Sequence, residues 1–98
     1  MPYVLRNERT GEVAAAMLRN SYDFTYFGVK WWNAREEAAQ EQVDFLTEWQ
    51  YADLAEWRVI EVGEDKLKTL NVKLKNNPAY MVCLDAGGAA EARLREEG

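Results

Sequence analysis

Seventeen carboxylates, one thiol and no imidazole are the reactive groups of this 98-residue chain. Without histidine it lacks the commonest general base, the commonest neutral metal ligand and the ordinary protonation switch near neutrality. A single cysteine, Cys83, excludes an intrachain disulfide and, with no histidine beside it, a structural zinc site. Cys83 sits in the apolar run Met81-Val82-Cys83-Leu84, where cysteine behaves as a small buried hydrophobe. A nucleophilic thiol wants an electropositive, partly exposed setting instead. Paired carboxylates do acid–base work only at a set separation across a cleft, and nothing singles out Asp23, or Glu36 with Glu37, among so many acids. Gly87-Gly88 lacks the strand-to-helix context of a phosphate loop. We therefore expect no catalytic residue, no metal and no cofactor: a protein that binds and does not react.

Two features could bind. The first is acidic: Glu37, Glu41, Asp44 and Glu48 recur at intervals of four, three and four, one stripe of a helix. The stripe lacks lysines at i,i+4, so its neighbours repel by a few tenths of a kcal/mol per pair. A solvated helix face explains the pattern without function; tolerated repulsion also suits a basic partner. Residues 33–57 hold seven acids against Arg35 alone, whereas the whole chain carries a net charge of −5. The remainder is thus nearly neutral, and the acidic field disfavours nucleic acid and anionic membranes as partners. The only basic run, Lys66, Lys68, Lys73 and Lys75, suits the C-terminal part of a solvated helix. It is also a candidate complement to the stripe in a symmetric dimer.

The second feature is aromatic. Tyr22, Phe24, Tyr26, Phe27, Trp31 and Trp32 crowd into eleven residues. Twelve aromatics in the whole chain amount to roughly 2,000–3,000 Å², against about 300–600 Å² for the largest apolar patch on a monomer. Most rings must be interior. Adjacent residues of a strand point to opposite faces, so one of Trp31 and Trp32 is the candidate exposed anchor.

The elements that place these groups read as follows. Residues 3–8 form a strand, and Asn7 to Gly11 a turn with Gly11 at positive φ. Val13–Leu18 form a second strand, with a helix capped by Thr10 as the rival. Asn20-Ser21 turns the chain into one aromatic strand, Tyr22–Trp31, bent or bulged at Gly28 where the period-two phase slips. A helix runs over 34–52, capped by Asn33 with Glu36 at the capping-box spacing. Its apolar face comprises Ala38, Ala39, Phe45, Leu46 and Trp49, with Val43 at the edge, and packs on the aromatic strand. Trp57–Val62 and Tyr80–Leu84 are strands; 65–75 is a second, shorter helix stopped by Asn76-Asn77-Pro78.

The fold class is α+β: a small antiparallel sheet of four to five strands with one long amphipathic helix on a face. Residues 1–85 make a single domain, and 86–98 a flexible or marginally helical tail. The N-terminus lacks the apolar core of a signal peptide, no run nears the ~20 residues of a membrane span, and a reducing cytoplasm is the expected setting. The functional expectation is a non-enzymatic protein-interaction module, a candidate homodimer, acting through Trp31, Trp32, Glu37, Glu41, Asp44 and Glu48. The alternative is a small ligand or nucleotide in a pocket lined by Tyr22, Tyr26 and Trp31, with Asp23 or Arg19 giving polar specificity.

Overall fold

The computed structural model describes residues 1–95. Its elements are β1 (Tyr3–Asn7), β2 (Glu12–Val13), β3 (Ala15–Arg19), β4 (Thr25–Val29), α1 (Arg35–Glu48), β5 (Trp57–Glu61), α2 (Glu64–Leu74), β6 (Tyr80–Leu84) and β7 (Ala90–Leu94). Five strands form an antiparallel sheet in the order β5-β1-β2-β6-β7, and β3 pairs with β4 in a second sheet. The class is α+β, as the alternation of strand and helix signals required.

The two sheets are one bent surface. β2 and β3 are a single stretch of extended chain interrupted at Ala14, whose N–H donates to the Leu5 carbonyl and whose carbonyl accepts from Lys30. Trp32 and Tyr3 exchange both backbone bonds at 2.9 Å, stitching the end of the aromatic segment to β1. Side chains then alternate between two cores. Val4, Val13, Ala15, Phe27, Val29, Val82 and Leu84 meet Leu70 and Leu74 of α2. Leu5, Ala14, Ala16, Trp32 and Trp57 meet Ala38, Phe45 and Leu46 of α1. A strand buried on both faces must read as a continuous apolar run, which is why Val13-Ala14-Ala15-Ala16 resembled helix material.

Several expectations need correction. The aromatic strand begins at Thr25 because residues 20–24 are a closed loop: the Asn20 side chain accepts from the N–H groups of Tyr22 and Phe24, and Asp23 adopts φ 66°. No bulge occurs at Gly28; the β3–β4 register runs unbroken from Ala15↔Val29 to Arg19↔Thr25. What Gly28 provides is space, since a Cβ there would lie 2.7 Å from the Tyr26 ring and 3.0 Å from Asn71 Oδ1. α1 starts after Ala34, which is extended (φ −132°, ψ 142°) and makes no side-chain cap. The chain bends at Asn33 and Ala34 after the Trp32–Tyr3 bridge and Ala34 takes the cap position, so neither the Asn33 cap nor its capping box forms.

The apolar arc of α1 is narrower than its sequence. Ala38, Phe45 and Leu46 are buried, Ala39 is exposed, and Val43 is 58% exposed. α1 packs on β1 and β5, not on the aromatic strand, which lies under α2. The supposed tail is also structured. β7 pairs with β6 from Tyr80↔Leu94 to Leu84↔Ala90, around a turn in which the Asp85 carboxylate accepts from Gly87 and Ala89 N–H. Ladder bonds and a face against α2 replace the isolated-helix problem that made this segment look frayed. Residues 96–98 of that tail lie outside the described residues.

Candidate functional site

α1 and the β3–β4 hairpin diverge from their shared core and leave a hollow of about 390 Å³. Ala16, Leu18 and Phe45 form its floor, and Met17 and Trp49 flank it. Glu41, Asp44 and Glu48 stand along one side, with Lys30 as the opposing cation. Met17 is 43% and Trp49 38% exposed, whereas Ala16 and Phe45 are buried. Ala16 contributes only a methyl group to this lining. Trp49 ends α1 and tilts against Phe45, ring centroids 6.4 Å apart, so one large apolar surface turns up at the lip.

Trp32 is not an exposed anchor. Its side chain is buried, edge-on to Phe45 with centroids 5.9 Å apart, and its Nε1–H donates to Glu41 Oε1 at 3.1 Å. The Lys30 ammonium lies 5.1 Å from the Trp32 ring centre. Trp32 thus sits beneath the rim and orients Glu41. The bridge to Tyr3 puts Trp32 on the α1 face, and alternation sends Trp31 the other way. There Trp31, 40% exposed, lines a separate hollow of about 330 Å³ with Pro2 and Leu67. Glu37 is exposed on the same helix but does not line the α1–β3 hollow. Of the six candidate residues, then, the fold gathers Glu41, Asp44 and Glu48 directly and Trp32 from below.

Sequence reasoning missed Met17, Leu18, Lys30 and Trp49 as lining residues. Trp49 carried the available signal, a tryptophan at the C-terminal end of an acidic stripe. It also missed the hairpin tip, where Tyr22 is 79% and Phe24 69% exposed. The residues of the alternative pocket do not converge. Tyr22 and Tyr26 do not line the hollow that Trp31 lines, and Arg19 and Asp23 pair with each other at 2.6 Å.

Cys83 opens on a hollow of about 230 Å³ that contains Arg6, Arg9 and Arg93. Each arginine is matched to an acid: Arg6 to Glu8, Arg9 to Asp53, Arg93 to Glu91. The thiol is 5% exposed, and burial pushes its pKa up despite the nearby Arg93. A thiol held protonated is a poor nucleophile. The lysine run is dispersed as well: Lys66 donates to the Gly88 carbonyl and Lys75 lies over the Tyr80 ring. Among the described residues no three His, Cys, Asp or Glu side chains are placed to hold a metal ion, and no helix is long and apolar enough to cross a membrane.

Neither family models, curated proteins nor solved structures offer a match to this chain.

Proposed function

We propose that the protein is a non-enzymatic interaction module that receives a basic polypeptide segment in the hollow between α1 and β3. The observation carrying this reading is the combination of an apolar floor with three carboxylates on one wall. An apolar side chain of the partner fills the space over Ala16 and Phe45, excluding water, while its Lys or Arg residues meet Glu41, Asp44 and Glu48. Rim charges of this kind act mainly on association rate and partner choice, and the buried anchor supplies affinity. The repulsion left unrelieved along α1 is relieved on binding. Non-catalytic work is supported by the missing histidine and by the buried, protonated Cys83. The lone unpaired thiol suits a reducing cytoplasm, where we place the protein.

Selection from a random peptide display library tests the reading. Enriched sequences should carry Lys or Arg within a few residues of Leu, Phe or Trp. A synthetic version should perturb Trp49 fluorescence and bind roughly tenfold or more weakly to the Glu41/Asp44/Glu48→Gln variant. Affinity should also fall with added salt. Enrichment without basic residues, or equal binding by the variant, refutes it.

A further inference from the structure

Side chains cap parts of three strand edges. On β5, the outward carbonyls of Trp57 and Val59 accept from Gln42 and Arg35 of α1. On β4, the outward N–H groups of Phe27 and Val29 donate to Asn76 and Asn71. On β3, the Tyr51 hydroxyl serves both the N–H and the carbonyl of Ala15. β7 is different. The bonds from Asp85 N–H to Ala89 and from Arg95 N–H to Ala79 place the ladder bonds at odd-numbered residues of β7. Ala90, Ala92 and Leu94 therefore aim their backbone groups outward, with no partner among the described residues. A five-residue strand edge left in this state is a template for another strand.

We propose that the template is read by a second copy of the same strand, β7 pairing antiparallel with β7 about a two-fold axis at Ala92. The sequence Ala90-Glu91-Ala92-Arg93-Leu94 is complementary to itself in that register. Ala92 faces Ala92 and Ala90 faces Leu94 in hydrogen-bonded pairs, joining the two five-stranded sheets into one. Glu91 of each copy faces Arg93 of the other at the non-hydrogen-bonded positions, where side chains approach most closely. Both charges are exposed and held only by their mutual contact at 3.3 Å within one strand, so they exchange partners without dehydrating anything buried. The small Ala90 and Ala92 leave room, and Leu94, 65% exposed, gains cover. Register is enforced by charge: a slip of two residues either way sets Glu91 against Glu91 or Arg93 against Arg93. This contact is independent of the α1–β3 hollow, which lies on another part of the surface.

Pairing of one short strand belongs to the small, transient class of interface, below about 1,200 Å². Sedimentation velocity on the full chain, from micromolar to millimolar protein at low salt, is the measurement. Wild type should shift from monomer to dimer across that range. Ala92→Pro should stay monomeric throughout with an unchanged circular dichroism spectrum, because the N–H it removes takes no part in the monomer's ladder. Glu91→Arg should weaken association by roughly tenfold or more, and Glu91→Arg with Arg93→Glu should restore it. A wild type that is monomeric at every concentration overturns the proposal. So does dimerisation of a folded Ala92→Pro variant at wild-type strength. Should Ala92→Pro fail to fold, the charge swap decides: equal association by the single and double variants places any dimer elsewhere and overturns the proposal.

Discussion

Asn71 offers the sharpest test of how the site's scaffold is held. The residue lies on α2, and its Oδ1 accepts the Val29 N–H at 2.8 Å. Val29 is fully buried, so removing the acceptor by Asn71→Ala leaves that donor without water or protein. An unsatisfied buried donor costs about 1–3 kcal/mol. Alanine is a better helix former than asparagine by roughly 0.5 kcal/mol, which opposes the loss. The net expectation is destabilisation of about 0.5–2.5 kcal/mol, or several degrees in Tm for a domain of this size. Asn71→Asp keeps an acceptor oxygen in the same place and should retain most of the stability. Urea denaturation followed by tryptophan fluorescence gives the midpoints, and hydrogen exchange at the Val29 amide reports the bond directly. The sign is decisive. If Asn71→Ala equals or exceeds wild type in stability, helix propensity alone is operating and the capping of β4 contributes nothing. The consequence reaches the hollow, since β4 supports the β3 residues that floor it.

Two further outcomes are expected. Burial pushes the Glu12 carboxyl above its ordinary 4.5, against the opposing pull of Arg95, 3.2 Å away. The folded state therefore holds this proton more tightly than the unfolded state, and Glu12 supports folding fully below 4.5 and progressively less as pH rises through the raised value. Glu12→Gln cannot ionise, so its stability advantage over wild type at neutral pH should shrink on acidification and vanish below about pH 4; parallel stability–pH curves would refute this. Gly11 (φ +81°) has room for no Cβ, which would sit 2.8 Å from the Leu84 carbonyl oxygen, whereas at Gly88 (φ +88°) a Cβ meets nothing within 4 Å. Gly11→Ala should cost on the order of 2–4 kcal/mol and Gly88→Ala about 1–2 kcal/mol in urea unfolding. Equal losses would show that the clash is relieved for free.

Legibility followed the range of the forces involved. The reading of 65–75 as a helix matched α2 closely, because Leu67, Leu70 and Leu74 at helical spacing and the stop before Pro78 are local signals. β6 was legible from end to end for the same reason. Trp31 and Trp32 were rightly sent to opposite faces, yet which of them is wet depends on the bridge to Tyr3, some thirty residues away. Of the acidic stripe, Glu41, Asp44 and Glu48 reached the hollow and Glu37 did not, a distinction made by where β3 crosses α1.

Composition and short-range pattern alone established an α+β chain without imidazole chemistry, with turns at Gly11 and Asn76-Asn77 and one strongly acidic helix. Tertiary structure decided the rest. It chose which of two faces each ring enters, exposed Val43 despite its place beside an apolar arc, and made a strand of Ala90–Leu94. The physical reason is that pairing and burial are properties of neighbours. Ala-Glu-Ala-Arg-Leu is helix-forming by intrinsic preference, and only the ladder supplied by β6 and the cover of α2 outweigh that preference.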